Sequence, residues 1–567
     1  MEKDCRDRIV NEEYADFMIN FGKPLEDIQD KLDTCYGTLN NETAIVYTPV
    51  ASVPSNFIHL FGYGAYPNCY GILDEASVEA SGITKVKNIP NLNLQGDGVL
   101  IGIIDTGIEY THEAFRKADG TSKIYAIWDQ AIMSDNPPEG YQFGTEYKQE
   151  QINNALASED PLSVVPSTDE VGHGTFLAGI AAGNPKRENS FTGVVPNAEL
   201  VVVKLKPAKK YIREFWKIPD GVVCYQKNDF IQAIRYLLDQ ALKLKRPISI
   251  AIGIGTSQGA HDDRGSLSRY LSTAAALSGV CISIAAGNEG NARHHYQGAI
   301  AGAGKNDTVE LNVGANEKGF TMEFWGKTPG TFSIDITSPN GEYVPRILAR
   351  LNETREIRFI FDPTVIQVDY QLVESQSGDQ LILVRFSNPT QGIWRFRVYS
   401  SGNLSINYHT WLPITQFISN ETYFVNSEPY YTLTSPANVF VPIVATSYDY
   451  TNESLSLNAS RGYTRTESIA PTIAAPGVNI IGPTINNSYT TLSGTSIAAA
   501  HTAGVGAMFL EWGIGKNNLP NISTIEIKNL LIRGAKRSDN LVYPNKEWGY
   551  GILDLMGAYN SLRSDNP

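Results

Sequence analysis

Four stretches of this chain are apolar at almost every position rather than at every second one: VLIGIID at 99–105, ELVVVKLK at 199–206, PISIAIGIG at 247–255 and GVCISIAAGN at 279–288. A strand that meets solvent on one face alternates, whereas one packed on both faces does not. Between these runs lie helix-like segments, HGTFLAGIAAG (173–183), DFIQAIRYLLDQALKLK (229–245) and SLSRYLSTAAALSG (266–279). Strand and helix in repeated order predict an α/β domain with a parallel sheet covered on both faces. Functional residues of such sheets gather at the carboxyl ends of strands. Asp105 and Asn288 stand at two such ends.

From about residue 300 to 435 the pattern becomes many short strands separated by Pro, Gly, Asn and Ser. Trp394, Phe396 and Val398 alternate with Arg395 and Arg397, and Ile357, Phe359 and Phe361 alternate with Arg358 and Ile360. One buried and one wet face predict an antiparallel β-sandwich or jelly roll. The α/β pattern returns at VFVPIVATS (439–447) and ends with the helix-like TSIAAAHTAGVGAMFLEWG (495–513), so the sandwich reads as an insert. Residues 1–70 form a third, small α+β unit, with strand-like YADFMINF and AIVYTPV and helix-like PLEDIQDKL.

The chain's 567 residues exceed one ordinary core, and 42% apolar residues fit a globular protein. A formal charge of -14 opposes general binding to nucleic acid or to an anionic membrane. No run of eighteen apolar residues occurs, and the first residues lack a basic segment followed by an apolar one, so neither a membrane span nor standard secretion is expected. Synthesis in the cytoplasm follows as the expectation. Cys5, Cys35, Cys69, Cys224 and Cys281 are scattered without a CxxC pair, which predicts free thiols rather than a disulfide framework or a zinc site.

IIDTG at 103–107 admits two chemistries. A two-lobed aspartic protease needs two Asp-Thr/Ser-Gly turns to share one proton, and the chain has one. A serine nucleophile instead needs a histidine base and a carboxylate that orients it. VGHGTFLAGIAAG (171–183) sets His173 at a helix start, and LSGTSIAAAHTAGVGAM (492–508) sets Ser496 at another, where the helix dipole favours developing negative charge. Taken alone, each segment reads as well as a helix cap.

Asp, His, Ser is the chain order of subtilisin, and at all three segments the sequence resembles the subtilisin-like serine proteases. GVVPNAELVVVKLK, IAIGIG, AAGNEGN, NASRGY and IAAPGVNI follow in the family's order over about 99–290 and 439–553. The resemblance implies Ser496 as nucleophile, His173 as base and acid, Asp105 as its orienting carboxylate and Asn288 as oxyanion donor. It further implies that the backbone of Gly253, Ile254 and Gly255 pairs with an extended peptide and that Ala285, Ala286 and Gly287 line the pocket for the residue before the cut. Phe176 replaces the second histidine of HGTH, and Ala500 replaces the proline of GTSMASP. The first implies a packing change; the second implies an altered helix start and a slight shift of Ser496, with activity kept but a different partitioning of the acyl-enzyme between water and amines.

The short N-terminal unit, LDEASVEASGI and the insert ahead of SGTSIAAAH are together similar to the Csp germination proteases of spore-forming clostridia. That similarity implies a prodomain at 1–70, a catalytic domain at 71–299 and 436–567, and a jelly roll at 300–435. It implies self-cleavage within FGYGAYPNCYG (61–71), around Tyr66 and Tyr70, a prodomain retained after the cut, and a spore-associated role in activating a cortex-hydrolase proenzyme. The partners expected are a protein or peptide substrate and the chain's own prodomain, on a monomer. Some members of that group are pseudoproteases that sense or scaffold, and the intact Asp105, His173 and Ser496 favour an active enzyme. Glu109 and Asp262-Asp263 read as solvated surface carboxylates, His501 as a buried, hydrogen-bonded residue, and His294 and His295 as no metal pair. No metal or cofactor is expected.

Overall fold

The computed structural model describes residues 5–20, 35–40, 42–73, 94–302, 304–351 and 353–562. The helix-like PLEDIQDKL and most of LDEASVEASGI lie outside them. The four apolar runs become the parallel centre of a nine-stranded sheet: Glu199–Lys204, Leu100–Asp105, Ile248–Ile252 and Val280–Ala285 are successive neighbours. Ile250 lies between Gly102 and Ile282 in register. Helices His173–Ala182 and Thr495–Leu510 cover one face, and Lys227–Leu244 and Ser266–Ala275 cover the other. Continuous apolar strands are what two covered faces require. The helix Thr495–Leu510 is buried on nearly every side, which explains its wealth of Ala and Gly: small side chains let sheet and helix approach closely.

Two packed antiparallel sheets of six and five strands form the insert, running from His295–Ile300 to Tyr423–Phe424. Trp394, Phe396 and Val398 are fully buried between the sheets. Burying each such side chain contributes roughly 1.5–3 kcal/mol. The alternation expected at 357–361 stops early. The strand ends at Arg358, so Ile360 and Phe361 are 82% and 80% exposed.

Strands Tyr14–Asn20, Thr43–Pro49 and Cys35–Thr38 form the small N-terminal sheet. Here the cysteine expectation fails for one pair: Cys5 and Cys35 are joined by a disulfide, while Cys69, Cys224 and Cys281 are free and buried. The two cysteines are 30 residues apart with no telling spacing, and only the short helix Arg6–Ile9 brings Cys5 to the edge strand. Asp16 of the first strand forms a buried ion pair with Lys209, at 2.5 Å, which ties this unit to the α/β domain. No helix among the described residues is long and apolar enough to cross a membrane.

Where the sandwich meets the α/β domain, His261, His295 and His409 stack about Trp411. The His261 and Trp411 rings are 3.9 Å apart and nearly parallel, and His295 Nε2 lies 3.0 Å from His409 Nδ1. Burial, with Arg465 nearby, lowers the pKa of His261 to about 4 and that of His409 to about 3, and burial also lowers His295. Glu323 on the same face accepts hydrogen bonds from the Tyr63 hydroxyl, the Gly259 N–H and the Trp325 indole. Burial nevertheless raises its pKa to about 7.

Candidate active site

Asp105 ends its strand and is fully buried; its Oδ1 lies 2.6 Å from Nδ1 of His173, the first residue of its helix. The two segments fit because position 174 is glycine: a Cβ there would overlap the Gly107 carbonyl and lie 3.1 Å from Asp105 Cβ. Asp169 holds the pair together. Its carboxylate accepts from the N–H groups of Gly172 and Thr175 and from the Thr106 and Thr175 hydroxyls, at 2.7–2.9 Å. The Thr106 hydroxyl in turn accepts from Gly174 N–H. Asp169 thus caps the His173 helix and braces the turn that aims Asp105, a role no motif revealed.

Ser496 is the second residue of helix Thr495–Leu510, so its backbone N–H lies in a first turn that has no intrahelical acceptor. A Cβ placed on Gly253 would lie 3.1 Å from Ser496 Cβ and 3.2 Å from His173 Cε1, so nucleophile and imidazole adjoin across that glycine. Ser496 Oγ is buried without a hydrogen-bond partner among the described residues. Such contacts often tighten only once substrate is bound. Asn288 Oδ1 accepts from the N–H and the hydroxyl of Thr495, both at 3.1 Å, which fixes the side chain beside the start of the Ser496 helix. Thr495 also accepts from Gly287 N–H. An imidazole backed by a carboxylate, a serine beside it, a helix-start N–H and a side-chain amide next to that helix can together stabilise a tetrahedral oxyanion.

The cleft holds the chain's own backbone. The strand Cys69–Ile72 pairs antiparallel with Ile254–Gly255 on one side and with Tyr225–Gln226 on the other. Gly71 lies opposite Gly255 and Ile72 opposite Ile254, which sets Leu73 opposite Gly253. Leu73 and Asn288 line one cavity of about 450 Å³. Gly253, Ile254 and Gly255 therefore meet an extended strand, and Leu73 Cδ1 would lie 3.0 Å from a Cβ on Gly255. Ala285, Ala286 and Gly287 are buried behind it, with the Ala286 carbonyl accepting from Thr434 N–H. Tyr70 belongs to the inserted strand, whereas Tyr66 stacks on Phe215 at 3.7 Å, outside the strand.

Phe176 is buried against Gly482, and the helix runs unbroken through Ala500. His501 is half-buried, against the expected burial. Asp262 also departs from expectation: it is 5% exposed and paired with Arg465 at 3.5 Å, because the sandwich folds over it. Glu109 accepts from the N–H groups of Asn486 and Asn487. His294 Nδ1 faces Glu289 at 3.0 Å. No group of three metal-ligating side chains occurs among the described residues.

The subtilase family model matches residues 96–334 and 369–551, and the chain belongs to that family. The CspB protease of Clostridium perfringens is 32% identical in sequence, with a TM-score of 0.75 over 86% of this chain and 98% of that one. The C5a peptidase of Streptococcus pyogenes serotype M6 is 22% identical over 507 residues, and the PII-type proteinase of Lacticaseibacillus paracasei is 22% identical over 541. The chain aligns with 84% of its own length to each, spanning 39% and 26% of those relatives.

Proposed function

We propose that the chain is a serine endopeptidase in which Ser496 attacks the scissile carbonyl, His173 moves the proton and Asp105 orients and stabilises the imidazole. The observation that carries this reading is the 2.6 Å Asp105–His173 contact beside a helix-start serine. Asn288 and the Ser496 N–H serve as oxyanion donors. The enzyme's first substrate is itself: the register of Cys69–Ile72 supports cleavage between Leu73 and Asp74. That bond lies just beyond the stretch 61–71, because Gly71 and Ile72 pair with Gly255 and Ile254 and Tyr70 with Tyr225, so Leu73 rather than Tyr66 or Tyr70 comes opposite Gly253. The N-terminal unit then acts as a prodomain that stays seated through Asp16 and Lys209. The resemblance of the N-terminal unit and the insert to the Csp germination proteases points to a spore-cortex hydrolase proenzyme as the protein substrate and to a spore-associated enzyme.

Wild type and Ser496→Ala, purified side by side, test the reading. Wild type should split into two chains, with the larger beginning at Asp74 on N-terminal sequencing, and should react with a fluorophosphonate. Ser496→Ala should stay whole and unlabelled. A whole, unlabelled wild type refutes the proposal.

A further inference from the structure

We infer that the inserted sandwich closes the substrate cleft over the third residue before the scissile bond and restricts that position to glycine. The inference rests on the peptidase reading above. In the strand seated in the cleft, Gly71 holds that position, with Ile72 and Leu73 after it. Gly71 has no left-handed φ, so its backbone suits any residue. Room is what it lacks. A Cβ at Gly71 would lie 2.8 Å from Ile414 Cδ1, 3.0 Å from Gln416 Oε1 and 3.2 Å from Phe417 Cε1. All three belong to the turn that follows strand Ile406–Trp411 of the sandwich and precedes its last strand, Tyr423–Phe424.

That turn is built to stay in place. Glu289, the residue after the oxyanion asparagine, accepts from the N–H of Thr415 at 3.0 and 3.1 Å and from its hydroxyl at 2.9 Å. Phe417 N–H closes the turn on the Ile414 carbonyl at 2.8 Å. Ile414 and Phe417 are each 1% exposed and pack in one cluster with Trp325, Trp411 and Tyr431. Close-packed side chains cannot swing aside without costing the contacts they leave. A methyl group at this position needs a small shift of Ile414 and Gln416, and a branched side chain needs the whole turn to move. Antiparallel pairing supplies affinity without regard to side chains, so the insert supplies the selection. The substrate class is an extended segment with glycine two residues ahead of the residue that donates the scissile carbonyl, as in the chain's own Gly-Ile-Leu.

Self-cleavage of the full chain reads this directly. Gly71→Ala should slow it about 10-fold and Gly71→Val about 100-fold or more. Trimming the turn with Ile414→Val and Gln416→Ala in the Gly71→Ala chain should return most of the rate, which a misfolded prodomain would not allow. On fluorogenic peptides ending in X-Ile-Leu, wild type should prefer X = Gly over X = Ala about 10-fold, and the trimmed chain should lose that preference. Equal rates for the Gly71 variants, a slow Gly71→Ala not rescued by trimming, or indifference to X would each overturn the inference while fluorophosphonate labelling of wild type upholds the peptidase. A wild type that neither labels nor cleaves overturns both.

Discussion

Two sets of buried imidazoles divide this molecule. His173 faces the carboxylate of Asp105, so a proton arriving on the ring meets a charge that stabilises it. His261, His295 and His409 face carbonyls, one another and Trp411, with Arg465 close by, so a proton arriving there is opposed. The His261 nitrogens lie 3.0 and 2.9 Å from the carbonyls of Leu433 and Ser257, contacts that favour the charged ring, yet burial outweighs them. Under the proposed mechanism the first ring accepts a proton during turnover. The other set packs the sandwich against the α/β domain with rings whose charging is opposed by burial. The same side chain is base or mortar according to the charge of its neighbour.

The sharpest way to break this contrast is at the triad. Ser496→Ala should lower turnover roughly 10⁶-fold and Asp105→Asn about 10⁴-fold, with unfolding midpoints near wild type, as read by peptide hydrolysis and thermal melts. A near-normal rate for Asp105→Asn would remove the distinction between His173 and the stacked rings. Asn288→Ala should cost about 10²- to 10³-fold in kcat with little change in KM, since its amide meets charge that develops only on the way to the tetrahedral intermediate.

The stacked rings should instead speak through stability. Their folded pKa values are depressed below the ordinary histidine value, so the unfolded chain binds more protons from about pH 6.5 down to about 4 at His261 and about 3 at His409. Stability is whole above that window and falls through it by on the order of 5 kcal/mol. His409→Phe keeps an aromatic ring in the stack and should remove roughly a third of that acid loss, the share of one ring in three, in urea titrations at pH 7 and pH 4.5. Glu323 should act in the opposite sense. Its folded pKa is raised to about 7 by burial, so the folded chain binds the extra proton and stability falls as pH rises from about 4.5 to 7. Glu323→Gln keeps a hydrogen-bonding group and should gain on the order of 3 kcal/mol at pH 8 while changing little at pH 4.5. A Glu323→Gln chain that is no more stable at pH 8 would place the carboxylate's charge elsewhere in the balance.

The residues legible in the sequence were those whose work is local. Asp105 ends an apolar strand, and His173 and Ser496 each start a helix of small residues, so short motifs carry their surroundings with them. Asp169, Thr495 and Glu289 escaped notice because each works by hydrogen bonds to a neighbouring loop, and an Asp, Thr or Glu in a turn has many ordinary uses. The signal that could have found Glu289 was its place beside Asn288 in AAGNEGN. Asp262 looked solvated because the segment that buries it, around Arg465 and Asp379, lies more than a hundred residues away.

By itself the sequence determined the parallel sheet, the interruption by a two-faced sandwich and the order of the three residues proposed as the triad. Strand burial and helix starts are written into neighbouring positions at periods of one, two and about three and a half. Only the tertiary structure decided that Cys5 meets Cys35, that three distant histidines stack on Trp411, and that a sandwich turn lies over Gly71 in the cleft. Those contacts join segments separated by dozens to hundreds of residues, and local chemistry carries no record of which partner the packed core will deliver.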